Sequence, residues 1–323
     1  LEVVPVAIAD ISGVLFDLDG LPDIAVHAAL ASSAARGVLA SRLPVRPLAE
    51  MAALLKPGTI LADLTASPKT SDLLTSALDA GCGVVLANKI PLAGPWESAC
   101  KLMHHPHLRY EVTVGPGLPV IDTLQYLLNT GDKFTLIEGC VSGTLGYLCT
   151  ELERGLPYSQ AVANARAAGF TEPDPRDDLS GKDVARKALI LARTAGWELE
   201  AADLTVEALY SASLADMDVD AFMASVDVMD ADFAARIQQA AAQNSVLRYV
   251  AHVTPEGGTV GLRAVSREGA LGALRGPDNY IAFHTSRYNA IPLGLSGPGA
   301  GPAVTAAGVL GDIIKLARTL QVN

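Results

Sequence analysis

The first third of the chain alternates apolar runs with helical segments, and this alternation constrains the fold most. Runs rich in Val, Ile and Leu predict buried strands at residues 3–9, 58–64, 83–88 and 108–115. Between them, the apolar periodicity predicts helices at residues 26–40, 70–81 and 95–105. Continuous apolar strands separated by helices are typical of a parallel sheet that is covered on both faces. The pattern therefore predicts an α/β fold with a Rossmann-type, doubly wound parallel sheet.

The alternation of predicted strands and helices ends at about residue 118. Helices dominate up to about residue 243, around one strand-like run at 133–142. Further strands are predicted at 246–253, 258–265 and 280–288, before a glycine-rich turn and a helix at 297–320. We therefore expect a Rossmann-type domain made of residues 1–118 and 297–323, with an inserted α+β domain at 119–296.

The composition fits a globular chain with no affinity for nucleic acid. Half of the 323 residues are hydrophobic and 18% are charged, which is enough for a sizeable core. The formal net charge of −11 argues against general nucleic-acid binding. We expect no membrane partner, because no apolar run approaches the roughly 20 residues that span a bilayer. The four cysteines show no C-x-x-C pairing, so we expect a reduced, cytoplasmic chain.

A short segment resembles the opening motif of haloacid-dehalogenase-type phosphatases. In "FDLDG" (16–20), Asp17 and Asp19 stand where those enzymes place a nucleophile and a general acid. Leu21 and Pro22 follow the glycine instead of the usual Thr or Val, and a more convincing strand already ends at Asp10. We favour a polar loop here, with the phosphatase as a remote alternative.

Two other groups of residues predict no chemistry. The histidines of "HHPH" (104–107) have no companion cysteine or carboxylate at ligand spacing, so a solvated turn is favoured over a zinc site. Cys140 and Cys149 lie in apolar stretches, where an unpaired cysteine ordinarily packs rather than reacts.

An acidic, proline-containing segment carries the strongest candidate chemistry. In "GFTEPDPRDDLSGKDVARKALILAR" (169–193), two prolines predict an extended loop, and Ser180 with Asp183 predicts a capping-box-like helix start. Asp183 and Lys187 are four residues apart and share one face of that helix. Carboxylates beside a lysine suit a small ligand with an ammonium group and a proton-transfer step. A solvated loop with a surface ion pair is the alternative.

Five ordered segments resemble the homoserine dehydrogenase family. They are "ANKIPLAG" (87–94), "YEVTVGPGLPVIDTL" (110–124), "GCVSGTLGYL" (139–148), "TEPDPRDDLSG-DVARK" (171–187) and "GPGAGPAVTAAGVLGDIIKLAR" (297–318). Five matches in the family's order outweigh the single match of "FDLDG". Residues 11–22 are then expected to form the loop after the second Rossmann strand.

The resemblance implies an oxidoreductase of amino-acid biosynthesis. The family interconverts L-homoserine and L-aspartate 4-semialdehyde with NAD or NADP, on the route to threonine and methionine. It implies that the inserted domain binds the substrate, carries the catalytic residues and forms a homodimer. The resemblance extends to neither an aspartokinase nor an ACT domain, so a monofunctional enzyme is expected.

The same resemblance assigns roles to individual positions. Lys187 would donate and accept the proton at the substrate oxygen, with Asp183 and Lys89 as the other catalytic residues. The residues that would bind the substrate are Glu172, Asp177 and Asp183. The residues that would contact the cofactor are Thr65, Lys89, Gly169 and Gly301. A monovalent cation, Na⁺ or K⁺, would be held by the backbone carbonyls of Glu111, Val114, Pro116 and Leu118.

The cofactor preference is predicted from the end of the second strand. Asp10 offers a carboxylate that accepts hydrogen bonds from a ribose 2′-hydroxyl and repels a 2′-phosphate. Ile11 follows where an arginine would favour NADP. The sequence therefore favours NAD as the cofactor.

One motif of the family is missing from the sequence. No G-x-G-x-x-G follows the first strand, and "GPGAGP" (297–302) has Pro302 in place of the third glycine. We expect that about 30 residues, one strand-turn-helix unit, precede Leu1 in the natural protein. A non-catalytic relic or binding module is the alternative if the chain begins at Leu1.

Overall fold

The computed structural model of the chain describes residues 2–35, 37–299 and 301–320. The strands are β1 (Ala7–Asp10), β2 (Gly13–Phe16), β3 (Ile60–Asp63), β4 (Gly83–Leu86), β5 (Leu108–Arg109), β6 (Phe134–Cys140), β7 (Leu204–Val206), β8 (Ser245–Thr254), β9 (Gly257–Ser266), β10 (Asp278–Thr285) and β11 (Leu293–Pro298). The helices are α1 (Asp23–Ala34), α2 (Ser71–Asp79), α3 (Ile90–Ala93), α4 (Trp96–Met103), α5 (Val120–Asn129), α6 (Gly143–Glu153), α7 (Tyr158–Ala167), α8 (Pro175–Leu179), α9 (Lys182–Thr194), α10 (Val219–Ser225), α11 (Asp230–Ala241), α12 (Ala270–Ala273) and α13 (Pro302–Leu320). No described helix combines the length and the apolar character that crossing a bilayer requires.

A parallel sheet in the order β3-β4-β5 lies between two layers of helices. Along β4, Val84 and Leu86 join the core cluster that contains residues of α2, whereas Val85 packs with residues of α13. Alternate residues of one strand therefore face different helical layers, as in a doubly wound sheet. The predicted α/β class is confirmed.

The N-terminal strand departs from the prediction. β1 pairs with β2 in an antiparallel hairpin, from Ala7↔Phe16 to Asp10↔Gly13, apart from the parallel sheet. A buried strand over residues 3–9 is therefore wrong, and so is a loop over the whole of 11–22. A strand joins a parallel sheet only beside a neighbour, and no described residue pairs with the outer edge of β3. This segment instead pairs locally, across a tight turn.

The strand predicted at residues 108–115 is shorter than expected. β5 ends at Arg109, and a single turn of 3₁₀ helix follows at Glu111–Thr113. The backbone N–H of Glu111 donates to the Asp312 carboxylate at 2.9 Å. Because a carboxylate of α13 takes this donor, the chain leaves the sheet at this point.

A second, mixed sheet has the order β11-β10-β6-β8-β9-β7, and we call residues 134–298, which contain it, the inserted region. β8 pairs with β9 at each position from Ser245↔Ser266 to Thr254↔Gly257. Helices α6, α9 and α11 pack against β8. The sequence pattern did not predict β11, whose residues "LGLSGP" include no β-branched side chain. Lys89, three residues after β4, lies 3.4 Å from Asp183, so α9 begins near the carboxyl end of β4.

Candidate active site

Two buried polar residues organise the carboxyl ends of β3 and β4. Asn88 Nδ2 donates to Asp63 Oδ2 at 3.0 Å, and the Thr70 hydroxyl donates to the same oxygen at 2.7 Å. The other oxygen of Asp63 accepts the Thr65 N–H at 3.0 Å. This network fixes the two loops that carry Thr65 and Lys89. Ligands of open α/β sheets bind at this edge, so both residues lie where a cofactor would be expected.

Lys187 is a buried lysine of α9, with only 9% of its surface exposed. Its Nζ donates to the Val141 carbonyl at 2.6 Å and pairs with Asp183 Oδ2 at 2.8 Å. Val141 directly follows β6, so a strand end and a helix hold the ammonium group from two sides. A surface ion pair, the alternative drawn from the sequence, does not describe this lysine.

Asp183 joins two lysines from different parts of the chain. Its Oδ1 lies 3.4 Å from Lys89 Nζ, while Oδ2 contacts Lys187. Burial alone would raise the pKa of Asp183, but the charges and hydrogen bonds of Lys187 and Lys89 lower it to about 2. The carboxylate is therefore ionised at neutral pH, and 45% of its side chain is exposed to solvent.

Helix α9 begins differently from the prediction. Gly181, with φ +70°, occupies the N-cap without any side-chain cap, and the Ser180 hydroxyl donates to the Asp177 carbonyl instead. The predicted capping box is therefore wrong, because the two lysines take the carboxylate of Asp183. Glycine is needed at residue 181, since a Cβ there would collide with the Tyr249 hydroxyl.

The acidic segment before α9 is partly helical rather than an extended loop. Pro175 opens α8, and Asp174 caps that helix by accepting the Arg176 N–H at 3.0 Å. Asp177 lies on α8 with its side chain exposed. It contacts neither Asp183 nor Lys187, so the structure places it at the margin of the site.

Asp178 connects the acidic segment to the start of α6. Its carboxylate accepts the backbone N–H of Glu172 at 2.8 Å and the Thr144 hydroxyl at 3.1 Å. Burial raises the pKa of Asp178, and the nearby charges of Glu172 and Asp183 add to the rise. Glu172, the predicted substrate ligand, is itself exposed and is held in place through its backbone.

The other predicted cofactor contacts lie in three separate segments. Both oxygens of Asp10 accept hydrogen bonds within their own segment, from Ser12 at 2.6 Å and from the Leu39 N–H at 2.7 Å. The prediction that Asp10 ends a parallel strand is wrong, because β1 belongs to an antiparallel hairpin. Gly169, with φ +72°, follows α7, and Gly301, with φ +134°, precedes α13.

The loop predicted to hold a monovalent cation connects β5 to α5. Among the described residues, no hydrogen bond is donated to the carbonyls of Val114 and Pro116, whereas the Leu118 carbonyl accepts the Val120 N–H at 2.9 Å. The side chain of Glu111 caps α5. Burial raises the pKa of Glu111 to about 7, with Asp122 and Asp312 adding to the rise against two hydrogen bonds.

Other metal and thiol chemistry has little support in the structure. The described part of the chain contains no group of three or more His, Cys, Asp or Glu side chains that suits a metal ion. Cys140 and Cys149 are buried, and burial raises the pKa of Cys149 to about 11. A thiolate nucleophile is therefore not favoured.

Four polar residues of the site were not assigned from the sequence: Asp63, Asn88, Thr144 and Asp178. Asp63 ends β3 and Asn88 follows β4, and polar residues at the carboxyl ends of parallel strands are the signal that would have identified them. Thr144 carries no such signal, because its contact with Asp178 joins residues 34 positions apart.

Comparisons with known proteins agree with this geometry. The family model for homoserine dehydrogenase matches residues 119–314. A bifunctional aspartokinase/homoserine dehydrogenase 2 of Zea mays is 44% identical over 272 residues, 82% of this chain and 30% of that protein. The chain thus spans about 30% of the length of that bifunctional relative. A homoserine dehydrogenase of Paracoccidioides brasiliensis is 40% identical over 284 residues, 81% of this chain and 75% of that protein.

A solved structure extends the likeness to the fold. A hyperthermophilic archaeal homoserine dehydrogenase in complex with NADPH superimposes with a TM-score of 0.73 at 25% sequence identity. The superposition covers 97% of this chain and 88% of the archaeal chain. The family model and the 40% identical relative, which this chain covers over most of its length, establish the relationship. The chain belongs to the homoserine dehydrogenase family.

Proposed function

We propose that the protein interconverts L-homoserine and L-aspartate 4-semialdehyde with NAD or NADP. The observation that carries this proposal is the arrangement of Lys89, Asp183 and Lys187. A buried ammonium, an ionised carboxylate and a second ammonium meet near the carboxyl ends of the parallel strands. A substrate with one ammonium group and one reacting oxygen matches these charges.

Substrate recognition is assigned to the acidic side of the site. Asp183 and Glu172 offer carboxylates to the ammonium group of homoserine, and Asp178 holds the backbone of Glu172. Asp177 supports this side from α8 through its charge, since it lies at the margin. Ionised carboxylates bind an ammonium group strongly where water is partly excluded.

Proton transfer is assigned to Lys187. When the aldehyde is reduced, negative charge develops on its oxygen, and a buried ammonium group stabilises that charge and donates a proton. In the opposite direction Lys187 accepts the proton of the homoserine hydroxyl. The Val141 carbonyl and Asp183 hold Nζ in place for both directions. The dinucleotide, when bound, supplies or accepts the hydride.

Cofactor binding is assigned to the edge formed by Thr65 and Lys89, with backbone contacts from Gly169 and Gly301. The preference for NAD in this proposal comes from the sequence alone, where Asp10 is followed by Ile11 rather than by a cation, since Asp10 does not end a strand of the parallel sheet. The archaeal relative is described in complex with NADPH. A kcat/KM at least about tenfold higher with NADP⁺ than with NAD⁺ would contradict the preference for NAD.

A monovalent cation is assigned to the carbonyls of Glu111, Val114, Pro116 and Leu118. Support comes from the carbonyls of Val114 and Pro116, which accept no hydrogen bond from the described residues. Na⁺ or K⁺ should therefore raise the melting temperature relative to choline at equal ionic strength. Identical melting in all three salts would contradict this assignment.

A cytoplasmic homodimer completes the proposal. Ile137 and Val253 face the core, so their neighbours Glu138 and His252 lie on the opposite face of the sheet, half-buried, where a second copy would cover them. The four cysteines are free, which favours a reducing compartment. A monomeric mass in light scattering at micromolar concentration would contradict the dimer.

The activity is tested on the full-length natural protein with L-homoserine and each dinucleotide. We expect reduction of the dinucleotide that depends on homoserine, and its oxidation with aspartate semialdehyde. Homoserine binding without turnover would instead support the non-catalytic binding module. Inactivity on homoserine, combined with phosphate-ester hydrolysis that is lost in Asp17→Asn, would support the phosphatase. Asp17 and Asp19 are exposed and form a local turn, in which Asp17 accepts the Asp19 N–H at 3.0 Å.

A further inference from the structure

Arg193, in the last turn of α9, is a fully buried guanidinium outside the proposed catalytic groups. Its Nη1 donates to the carbonyls of Leu92 and Gly94, both at 2.7 Å, and its Nε donates to the Leu199 carbonyl at 2.9 Å. A buried arginine is tolerated only when its donors have partners, because desolvation of the charge is costly. The backbone of residues 92–94 supplies two of these partners, and the hydrogen bonds from Arg193 hold that backbone in place.

The segment that Arg193 holds is the one that carries Lys89. Lys89 is the N-cap of α3, and Gly94 follows that helix directly. Helix α3 is only four residues long, which is about one turn and leaves little room for bending. Fixing the carbonyls at its carboxyl end therefore fixes the backbone of Lys89 as well.

Helix α9 contacts this segment at two distant points. Asp183 contacts the ammonium group of Lys89, and Arg193 binds the carbonyls beyond it. The two residues are ten positions apart, about 15 Å along an α-helix. Lys187 lies between them on the same helix. One rigid helix thus sets the position of Lys89 relative to both Asp183 and Lys187.

Glu200 extends the same arrangement to the start of α4. Its Oε2 pairs with Arg193 Nη2 at 3.1 Å, and its Oε1 accepts the Trp96 N–H at 2.8 Å. The guanidinium of Arg193 also lies over the Trp96 ring, 5.6 Å from its centre. Both ends of the short turn between α3 and α4 are therefore bound, one to Arg193 in the last turn of α9 and the other to Glu200, which follows that helix.

We propose that Arg193 is a positioning residue, which holds Lys89 against Asp183 and Lys187. The inference rests on the proposed function, because the contribution of Lys89 to turnover is defined by that reaction. The hydrogen bonds of Arg193 go to the backbone of Leu92, Gly94 and Leu199, and its ion pair is with Glu200, so we assign it no contact with the reacting atoms. Its effect on catalysis passes through the backbone of residues 92–94.

The first test compares two buried arginines. Arg193→Lys keeps the charge, but one ammonium group cannot replace the planar fork that reaches Leu92, Gly94 and Leu199 together. We expect kcat to fall by about tenfold to a hundredfold, because displacement of a catalytic group by about 1 Å has effects of this size. A fall in kcat no larger than that of the control variant Arg248→Lys would overturn the proposal.

The matched control is Arg248→Lys. Arg248 is 2% exposed and likewise binds carbonyls, those of Gly272 and Leu274, together with Glu153. It lies on β8, and these partners are not among the residues of the proposed site. We expect a comparable loss of melting temperature, with kcat within about twofold of the wild type.

A double-mutant cycle tests whether Arg193 acts through Lys89. In a Lys89→Ala background, Arg193→Lys should lower kcat by less than about threefold more, because the group it positions is already absent. A purely structural role would give the same fold-loss in both backgrounds. If the fall in kcat of the double mutant equals the product of the falls in the two single mutants, the proposal is overturned.

A chemical measurement separates this proposal from the proposed function. Lys89 is partly shielded by Asp183, so limited acetylation of the folded protein, read by mass spectrometry, reports its position without turnover. We expect Lys89 to react about fivefold faster in Arg193→Lys and at the wild-type rate in Arg248→Lys. Unchanged labelling in Arg193→Lys would overturn the role of Arg193. Faster labelling in Arg193→Lys, combined with a wild-type protein that is inactive on homoserine, would count against the proposed reaction alone.

A second variant keeps the test open if Arg193→Lys does not fold. Glu200→Ala removes the carboxylate that joins Arg193 to Trp96, and Glu200 is half exposed, so the fold should tolerate the change. We expect a smaller change in the same direction, with faster Lys89 labelling and a lower kcat. Labelling and kcat equal to those of the wild type would overturn the proposal.

Discussion

The inserted region and the N-terminal segment, which precedes β3, differ in how completely their strands and apolar side chains are covered. β8 is paired along its whole length and packed against four helices, α6, α9, α11 and α12. Among the described residues, no buried member of the core clusters precedes Leu74. Ile11 and Ile24 of the N-terminal segment are 88% and 79% exposed. An apolar run therefore becomes a buried strand only where a neighbouring strand and a helical layer are available.

The difference extends to the predicted site residues. Lys187 and Asp183 belong to the well-packed region, and their contacts join three parts of the chain. Asp10 belongs to the N-terminal segment, and its contacts stay within that segment. Catalytic geometry requires rigid support, which the inserted region provides.

The largest expected difference between the two regions is in hydrogen exchange. Amides of β8 should exchange about a thousandfold more slowly than those of β1 and β2, because they open only with the core of the inserted region. Peptide-resolved exchange followed by mass spectrometry measures both segments in one sample. Equal protection of the two segments would show that the comparison is wrong.

A large effect on substrate binding is expected from Asp183→Ala. The change removes the carboxylate assigned to the homoserine ammonium and leaves Lys89 and Lys187 without their shared partner. The KM for homoserine should rise by about tenfold or more, and kcat should fall as well. Asp232→Ala, which removes an exposed carboxylate on α11, is the control and should leave both constants near those of the wild type. Unchanged KM in Asp183→Ala would remove its substrate-binding role.

A smaller effect is expected from Thr144→Val. The Thr144 hydroxyl contacts the Asp178 carboxylate at 3.1 Å and donates to the Phe170 carbonyl at 2.6 Å. Its loss should loosen the segment of Glu172 and raise the KM for homoserine about threefold to fivefold, with little change in kcat. Steady-state kinetics at varied homoserine concentration measures this. An equal fall of kcat with unchanged KM would contradict a role in holding Glu172.

The smallest expected effect is on stability in acid. The pKa of Asp183 is about 2 in the folded protein, below the ordinary value of 3.8, so its stabilising contribution is complete above the ordinary pKa. The contribution is lost as the pH falls from 3.8 towards 2. Thermal melting of the wild type and of Asp183→Asn should therefore differ most near neutral pH and converge in acid. A difference that grows as the pH falls would contradict the lowered pKa.

Local patterns in the sequence were enough to predict the elements that depend on local periodicity. Helix α2 and strands β3, β4, β6, β8 and β9 were expected close to their observed positions. The pairing of Asp183 with Lys187 also follows from helical spacing alone. The hairpin of β1 and β2 was not expected, because a strand's partner is decided by which neighbour is available.

Contacts between distant residues account for the rest of the site. Arg193 binds the carbonyl of Leu92, and Thr144 contacts Asp178. No periodicity in the sequence relates such pairs, because tertiary packing brings them together. The end of β5 has the same cause, since the N–H of Glu111 is taken by Asp312 of α13.

The measurement that tests the catalytic role of Lys187 most directly compares two lysines of α9. Lys187 is buried at the site, whereas Lys182 is exposed in the first turn of the same helix. In Lys187→Ala, kcat for homoserine oxidation should fall by about a hundredfold or more with a smaller change in KM. Lys182→Ala should keep a kcat within about twofold of the wild type. A kcat for Lys187→Ala within about threefold of the wild type would contradict its role in proton transfer.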